Sequence, residues 1–394
     1  MLLDGVRVIS LNHFIMGPMG VQHLADLGAE VIAIEPLSGA FHRRWGGADR
    51  RVGGESVAFL CANRNKKSLA LDLKSEEGLE ITRRLIAGAD VLCENFRPGV
   101  LDRLGLGYEA ARTLNPRLVY ASASGYGQDG PYRDRPGQDL LVQAMSGLAA
   151  ATGSEGDSAR AVGVSAVDHH GAALLALGVV AALLARERTG RGRRIEVDLL
   201  SAALDLQMES LVAYMNGPRP TSVRSPEHMA GWMFPGPYGV YPAADGHIAI
   251  SLSRMAALAK ALDVPALTGI PDAEAYPRRA EIARLVADAT RDRPKAALLE
   301  ALAAQDVWHA EVLDYEEALA HPQVRHNGTV IETRLESGEP VHLVRHAVRY
   351  DGEPLAVRLA PQPLGAQGKE ILRDLGYAEA EIEDLLGRRI IATT

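Results

Sequence analysis

Residues 167–203 read VDHHGAALLALGVVAALLARERTGRGRRIEVDLLSAA, and this stretch decides how the fold is interpreted. It begins with a lone carboxylate, Asp168, and continues into an apolar run at 171–185 that stops at a charged segment. The run is shorter than the roughly 20 residues of a membrane-spanning helix, so it predicts a buried core helix. A turn at 189–192 then leads into an alternating segment at 194–199, which is typical of a strand.

The place of Asp168 at the start of a predicted helix permits two interpretations. Asp is among the residues most often found as an N-cap, whose side chain accepts backbone N–H groups. The positive end of the helix is also expected to hold a carboxylate in its ionised form. On this stretch alone, the cap interpretation is favoured over a catalytic one.

The composition is that of an ordinary globular protein. Of 394 residues, 47% are hydrophobic and 23% are charged, which allows a sizeable core, and the length suggests two domains. The net charge of -8 disfavours nucleic acid or an anionic membrane surface as a partner. Cys61 and Cys93 form neither a CxxC motif nor a disulfide framework. Since the N-terminal residues also predict no signal peptide, we expect a cytoplasmic protein.

The N-terminal residues predict a strand, a helix and a second strand, the unit that builds parallel sheets. Strands are expected at 6–11 and 30–34, on either side of the helix. Glu35 then stands where a dinucleotide-binding fold has its ribose-binding acid. That fold also needs GxGxxG in the first turn, and this turn ends in Gly17-Pro18 instead. The sequence therefore predicts a Rossmann-like α/β fold, with a nicotinamide-dependent dehydrogenase as one open alternative.

Four segments carry the remaining polar and flexible signals. Residues 41–54 are rich in Arg and Gly and are expected to form an irregular exposed loop. Residues 63–68, NRNKKS, form a basic cluster that is more typical of a solvated surface than of an anion site. Residues 94–99 follow a predicted strand, and ligands of open α/β sheets bind outside the carboxyl ends of strands. Residues 217–242 are rich in proline and glycine, as in a linker or an active-site loop.

Several classes of site lack their motif. The sequence has no P-loop GxxxxGK[ST], no GxSxG nucleophile elbow and no HExxH. His169 and His170 are adjacent, so they would point to different faces of a helix. We therefore expect neither a metal nor a permanently bound cofactor.

Segments spread over nearly the whole chain resemble those of one family. They are LLDGVRVISL, the Gly17-Pro18 pair, DLGAEVIAIEP, NRNKKSLALDLKSEEG, ENFRPGVLDRLGLGYE, NPRLVYASASGYGQDGP, RERTGRGRRIEVDLLSA and LRDLGYAEAEIEDL. Taken together, they resemble the class III coenzyme A transferases. This group includes formyl-CoA, carnitine-CoA and benzylsuccinate-CoA transferases and, more distantly, the α-methylacyl-CoA racemases.

The resemblance implies that Asp168 is a nucleophile. The carboxylate would attack an acyl-CoA thioester to give an aspartyl-acyl anhydride, and the CoA thiolate would convert this anhydride into an aspartyl-CoA thioester. A second, small carboxylic acid would then receive the CoA. With an ordinary pKa of about 3.9, the carboxylate is expected to be ionised at pH 7 and to need no general base.

The resemblance also implies which residues contact the CoA of the substrate. They are Leu71, Asp72, Leu73, Lys74, Asn95, Phe96, Arg97, Arg103, Gly137 and Gln138. Lys74 and Arg103 would supply charge for the phosphates, while Leu71 and Phe96 would supply apolar surface. For Asp72, a role as a turn residue is an equally good interpretation.

Three positions depart from the family pattern. Ile15 replaces a glutamine of the formyl-CoA transferases, which disfavours an oxalate- or formate-type pocket. The glycine-run loop of those enzymes is reduced to Gly231. Gln138 replaces the histidine of the racemases, and because glutamine takes no proton, a racemase is the weaker alternative. A non-catalytic CoA-binding protein would require Asp168 to be only a cap.

The resemblance finally implies the domain organisation and the oligomeric state. A large Rossmann-like domain is expected at 1–220 and 325–394, with a smaller α+β domain at 221–324. Members of the family form interlocked homodimers, and the same is expected here. Arg43 and Arg44 could meet a dicarboxylate such as succinate, although surface or CoA contacts are the preferred interpretation for them.

Overall fold

The structure is a computed structural model, and it describes residues 1–393. Its strands are β1 (Arg7–Leu11), β2 (Glu30–Glu35), β3 (Arg51–Val52), β4 (Glu55–Ser56), β5 (Lys66–Leu71), β6 (Val91–Glu94), β7 (Val119–Ser124), β8 (Arg194–Asp198), β9 (Gly239–Ala243), β10 (Gly246–Ile250), β11 (His309–Glu311), β12 (Val330–Arg334), β13 (Pro340–Val344), β14 (Arg349–Tyr350), β15 (Glu353–Pro354) and β16 (Ile391–Ala392). Its helices are α1 (Met16–Asp26), α2 (Phe41–Arg44), α3 (Val57–Ala62), α4 (Glu76–Ala87), α5 (Val100–Arg103), α6 (Tyr108–Leu114), α7 (Asp139–Met145), α8 (Leu148–Ala151), α9 (Ala166–Thr189), α10 (Leu199–Leu206), α11 (Met208–Met215), α12 (Met255–Leu262), α13 (Pro265–Thr268), α14 (Arg279–Thr290), α15 (Lys295–Ala303), α16 (Tyr315–Ala320), α17 (Pro322–Asn327), α18 (Gly368–Asp374) and α19 (Glu379–Gly387).

Seven strands form one large sheet in the order β16-β5-β2-β1-β6-β7-β8. Neighbouring strands run parallel, except that β16 pairs antiparallel with β5 at one edge. Four of the five residues of β1 are buried, as expected for a parallel strand covered on both faces. The predicted α/β class with a large parallel sheet is therefore confirmed.

The order of the strands reverses beside β1. The chain first builds outward through β2 and β5, and it then returns to place β6 on the other side of β1. The two loops that leave β1 and β6 meet there, because the His13 amide donates to Asn95 Oδ1 at 2.8 Å. Asn95 Nδ2 donates back to the His13 carbonyl at 2.7 Å. Such a reversal leaves a crevice at the carboxyl ends of the strands, where ligands of this class of sheet bind.

Helices cover both faces of the sheet. On one face, β-strand residues such as Ile9 and Leu92 pack with apolar residues of α4, α18 and α19 in a single core. On the other face, α1 packs against α9, where Met19 and Ala172 share a small cluster with Ala62 and Ile15. This second pair of helices brings the first turn of α1 close to the start of α9.

Helix α9 is longer than its apolar run. It spans 24 residues, and within the described chain it is the one helix long and apolar enough to cross a membrane by length and composition. The expectation that the element is too short for a span is therefore wrong. Such a helix is weak evidence for a membrane, because the core helix of a globular domain passes the same test. Here Ala172, Leu175 and Val179 are buried in the protein.

A second compact unit comprises residues 143–164 and 207–321. It contains an antiparallel sheet of β9, β10 and β11, in which Ile248 pairs with Tyr241 and Glu311. Apolar residues of α12, α14 and α15 pack with the inward-facing residues of this sheet, Tyr241 among them, which is fully buried. The unit therefore has a core of its own.

The first unit comprises residues 1–142, 165–206 and 322–394. It therefore draws on both ends of the chain. The predicted domain bounds differ from this grouping, since they assign residues 143–164 and 207–220 to the large domain. The domain boundaries given above stay a prediction.

The basic cluster at 63–68 is buried, and the expectation of a solvated surface is wrong. Arg64 Nη2 lies 2.6 Å from Asp26 Oδ2, and the two side chains are only 4% and 2% exposed. The neighbouring Asn65 donates to the other oxygen of Asp26 at 2.8 Å. These contacts tie the segment before β5 to the end of α1, over 38 residues of chain. The basic side chain is used for the fold and not for a ligand.

We predict that Asp26→Asn lowers the free energy of unfolding by about 3–5 kcal/mol, because it leaves the buried guanidinium of Arg64 without a counter-charge. Urea denaturation followed by circular dichroism measures this difference. A matched control is Glu77→Gln, which breaks the pair with Arg388 between side chains that are 45% and 47% exposed. That loss should be much smaller, because water screens the charges of an exposed pair. Equal losses in the two variants would contradict the assignment.

Candidate active site

Asp168 lies inside α9 and does not cap it. The helix begins at Ala166, and the residue at the N-cap position, Ser165, makes no side-chain cap hydrogen bond. The backbone N–H groups of Val167 and Asp168 donate instead to Oδ2 of Asp139, at 2.8 and 3.0 Å. The capping carboxylate therefore comes from a residue 29 positions earlier, at the start of α7. The cap interpretation of Asp168 is wrong, and its own carboxyl group is free for another role.

The carboxyl group of Asp168 faces the start of another helix. It accepts a hydrogen bond from the backbone N–H of Met16, the first residue of α1. This turn of backbone is closely packed, since a Cβ on Gly17 would lie 2.2 Å from Asn12 Oδ1 and 3.1 Å from Asn95 Cγ. Only glycine allows the approach, which gives the Gly17-Pro18 pair a structural reason. The Met16 N–H is thereby held where it meets the carboxyl group.

Loss of hydration and, after it, the negative charge of Asp139 raise the pKa of Asp168 to about 7, against the opposing effect of the hydrogen bond from the Met16 N–H. Charged and neutral forms are therefore both present near neutral pH. The expectation that the helix start keeps this carboxylate fully ionised is wrong, because desolvation and the charge of Asp139 together outweigh the effect of the helix end. A half-buried carboxyl with a perturbed pKa, at a strand-end crevice, is a candidate for a functional group.

The two histidines after Asp168 point in different directions, as the helical spacing predicts. His170 Nε2 lies 2.7 Å from Asp205 Oδ2 of α10, while His169 is exposed. His170 thus joins α9 to α10. Among residues 1–393, no group of three or more His, Cys, Asp or Glu side chains is placed to hold a metal ion.

The first predicted CoA segment, residues 71–74, follows β5. Leu71, the last residue of β5, has no exposure and pairs with Ile391 of β16, so it is not accessible to a ligand. Asp72 Oδ1 accepts the Lys74 N–H at 2.9 Å, and the Asp72 N–H donates to the Ile390 carbonyl. Asp72 therefore acts as a turn residue, which is one of the two interpretations that the sequence left open for it. Lys74 is exposed, and Leu73 packs at the margin of the core.

The second predicted segment, residues 95–97, follows β6 at the crevice. Asn95 is fixed by its pair of hydrogen bonds with His13, and the Phe96 ring lies 5.4 Å from the His13 ring. Arg97 and Arg103 are exposed. The sequence predicts no role for Arg133. A Cβ placed on Gly99 would lie 3.4 Å from Arg133 Nη2 and 3.5 Å from Arg103 Nη1. Two guanidinium groups therefore converge on one glycine of this loop.

The third predicted segment is Gly137-Gln138. A Cβ on Gly137 would lie 2.3 Å from the Cα of Gly125, so this backbone passes directly over the loop that follows β7. Gln138 is exposed and immediately precedes Asp139. The segment thus adjoins the residue that caps α9, which connects Gln138 with the site of Asp168.

Lys66 of the basic cluster also holds the first turn of α1 in place. Lys66 is buried, and its ammonium group donates to the carbonyls of Pro18 and Ala62 and to Asn63 Oδ1, at 2.6–2.8 Å. The Pro18 carbonyl belongs to the first turn of α1, which presents its N–H to Asp168. Burial lowers the pKa of Lys66 to about 7. Lys66 lies in the basic cluster that we expected at the surface, whereas Asp139 lies in no motif, and both are residues that support the site.

Glu35 and Arg43 form a buried ion pair. Arg43 Nε lies 2.6 Å from Glu35 Oε2, and both side chains are 5% exposed. Arg43 Nη1 also contacts Glu55 Oε1 at 2.5 Å, and the guanidinium group donates to the Gln362 carbonyl. Glu35 is therefore not free to bind a ribose, which removes the support for a dehydrogenase. The expected exposed loop at 41–54 is partly wrong, because it contains α2 with Arg43 buried.

Comparisons with known proteins agree with this geometry. The family model described as CoA-transferase family III matches residues 3–368. The chain is 34% identical to a mouse (Mus musculus) protein named succinyl-CoA:glutarate CoA-transferase, with 99% of the chain and 90% of that protein covered. It is 37% identical to an acetyl-CoA:oxalate CoA-transferase of Acetobacter aceti, with 96% and 97% covered.

A solved structure of a CAIB/BAIF family protein from Brucella suis has the same fold. The TM-score is 0.82 and the sequence identity is 29%, over 95% of this chain and 99% of the other. The family model covers more than half of the chain, and the relatives align along nearly its full length. The chain belongs to CoA-transferase family III.

Proposed function

We propose that this enzyme transfers coenzyme A from an acyl-CoA thioester to a carboxylic acid, with Asp168 as the nucleophile. The observation that carries the proposal is the half-buried Asp168 carboxyl group, which is held by the Met16 N–H and lies beside Asp139. The relatives named above act on succinyl-CoA and glutarate or on acetyl-CoA and oxalate, as their names state. Those reactions move CoA between two carboxylic acids.

The first half of the reaction forms two covalent intermediates in turn. A carboxylate oxygen of Asp168 attacks the thioester carbonyl, the C–S bond breaks, and CoA leaves as the thiolate. The thiolate then attacks the aspartyl carbonyl of the resulting anhydride. The donor acid leaves with one oxygen that came from Asp168, and Asp168 is left as a CoA thioester.

The second half runs the same steps with the acceptor acid. Its carboxylate attacks the aspartyl thioester and releases the CoA thiolate, which then attacks the acceptor's carbonyl. The new acyl-CoA leaves, and Asp168 is restored with one oxygen from the acceptor acid. Because each step exchanges one activated acyl group for another, the energy of the thioester is retained.

The surroundings of Asp168 favour this chemistry. Burial and the nearby charge of Asp139 disfavour the free carboxylate, and both penalties disappear when the group becomes a neutral anhydride or thioester. The same burial limits the access of water, which would hydrolyse an anhydride. The structure of the site thus favours the acylated state of the residue.

Exposed cationic side chains support the proposal for CoA binding. Arg103 and Arg133 converge at Gly99, and Lys74 and Arg97 are exposed at the carboxyl ends of β5 and β6. Guanidinium groups form paired hydrogen bonds with phosphates. We therefore assign the phosphates of CoA to this edge, with Asn95, Phe96 and the main chain at residues 72–74 as further contacts.

We also propose that the large domain is Rossmann-like and that the enzyme is a homodimer, interlocked as the family resemblance implies. Support for a partner comes from α9, where Leu177 and Leu184 are 65% and 64% exposed. They are seven residues apart and so lie on one face of the helix. A second copy of the chain would remove this apolar surface from water.

We predict that Asp168→Asn lowers the rate of CoA transfer by about a thousandfold or more, because it removes the nucleophile. Binding of CoA and the melting temperature should stay near the wild-type values, since asparagine has the same shape. Chromatography of the acyl-CoA products measures the transfer. Hydroxylamine added during turnover should also modify the peptide that contains residue 168 in the wild type alone. The matched control Asp245→Asn changes a carboxylate that binds the Lys295 N–H at the start of α15. An active Asp168→Asn variant would remove the basis of the proposal.

The pH dependence of CoA transfer gives a separate prediction. Activity should fall as the pH is lowered through about 7, because protonation removes the nucleophilic form of Asp168. Asp139→Asn should move this fall to lower pH, since it removes a negative charge that raises the pKa of Asp168. The profile of kcat/KM against pH measures the shift. In the control Asp314→Asn, which changes the residue that caps α16 in the second unit, the profile should not move. An unmoved profile in Asp139→Asn would show that Asp139 does not set this pKa.

A further inference from the structure

Three aromatic rings form an exposed patch, here called the aromatic shelf, made of Phe14, Phe41 and Trp45. The rings of Phe41 and Trp45 stack at 5.9 Å between centroids, with 25° between their planes. The Phe14 ring lies 5.1 Å from Phe41 and 6.1 Å from Trp45. Phe41 and Trp45 are 49% and 50% exposed, although such rings are normally buried. A clustered, half-open aromatic surface of this kind indicates a binding site.

The shelf adjoins the nucleophile. The Met16 N–H binds Asp168, and Phe14 is two residues before Met16. The Cα atoms of Phe14 and Met16 are therefore at most about 7.6 Å apart. An acyl group bound to Asp168 therefore begins within a few bond lengths of the shelf.

The backbone at Phe14 is held in an unusual conformation. Its φ is 60°, in the left-handed region that bulky residues rarely occupy. The neighbours fix it there, because His13 is bound to Asn95 by two hydrogen bonds and Ile15 packs with Met19. Residues held in such conformations by their surroundings cluster at ligand sites. This second observation is independent of the exposure of the rings.

The arginine buried beneath the shelf is committed to other partners. Every N–H group of Arg43 has an acceptor in Glu35, Glu55, Ser68 or the Gln362 carbonyl. Arg43 therefore has no N–H group left for a dicarboxylic acid, and its burial also overturns the preferred interpretation of it as a surface or CoA contact. Arg44 is exposed, and its Nη1 donates to the Ser38 carbonyl at 2.5 Å. A carboxylate placed on the faces of the aromatic rings would lose its hydration to an apolar surface.

We infer that the aromatic shelf is the acyl subsite and that it selects carboxylic acids with an apolar alkyl or aryl group. This inference rests on the proposed function, because Asp168 must carry the acyl group. It separates this chain from the relatives above, whose names give glutarate and oxalate, both short dicarboxylic acids, among their substrates. Since both acids bind to Asp168 in turn, the shelf contacts each of them.

The test compares CoA transfer to acetate, succinate, hexanoate and phenylacetate from one fixed acyl-CoA donor. The wild type should prefer hexanoate and phenylacetate. In the double variant Phe41→Ala, Trp45→Ala, kcat/KM for these two acids should fall by about tenfold, and the value for acetate by less than about twofold. The control Trp308→Ala removes a tryptophan that is 68% exposed in the second unit, and it should leave the panel unchanged.

Four other outcomes would each overturn the inference in a different way. Preference of the wild type for succinate would exclude an apolar subsite while leaving CoA transfer intact. An equal loss with every acid, together with a higher KM for the acyl-CoA, would place the pantetheine arm on the shelf. A changed oligomeric mass of the double variant would make the shelf a contact between subunits. No transfer to any acid would refute the proposed function itself.

Discussion

The active-site geometry depends on one hydrogen bond, from the Met16 N–H to the carboxyl group of Asp168. This bond joins the first turn of α1 to the first turn of α9, and both turns are held by other groups. Asp139 binds the free N–H groups at the start of α9, and Lys66 binds the Pro18 carbonyl in α1. The carboxyl group is therefore placed by two helices that depend on distant parts of the chain.

The topology of the parallel sheet determines the position of the active site. Strands β1 and β6 are neighbours at the point where the strand order reverses, so their following loops share one crevice. The loop after β1 supplies the Met16 N–H and Phe14 of the aromatic shelf, and the loop after β6 supplies Asn95 and the predicted phosphate contacts. One topological feature thus brings the acyl end and the nucleotide end of a CoA thioester to the same edge of the sheet.

Much of the fold could be predicted from the sequence, because local periodicity determines it. The strands at 6–11 and 30–34 and the apolar helix after Asp168 lie close to the observed β1, β2 and α9. The partners of charged side chains could not be predicted in this way. Arg64 finds Asp26, and Arg43 finds Glu35, only after the helices and strands have packed. Charged segments that the sequence predicted to be surface or ligand sites are therefore buried, and their ion pairs stabilise the fold.

The same limit applies to the site. Asp168 could be singled out because matching segments surround it, but its pKa depends on Asp139, which is 29 residues away and in no motif. A helix start at Asp168 predicts an ionised carboxylate only if no other anion occupies that helix end. Burial and a neighbouring charge reverse the expectation, and both are properties of the packed structure.

The central claim is that Asp168 is acylated and exchanges oxygen with each acid in turn. The most direct measurement is mass spectrometry of the peptide containing residue 168 after a single turnover with an acceptor acid labelled with oxygen-18 in its carboxylate. Attack by the acceptor and return of the thiolate to its carbonyl leave one acceptor oxygen on Asp168, so the peptide should gain one label per active site. A peptide that stays unlabelled while labelled acyl-CoA accumulates would show that CoA passes between the acids without a covalent bond to Asp168.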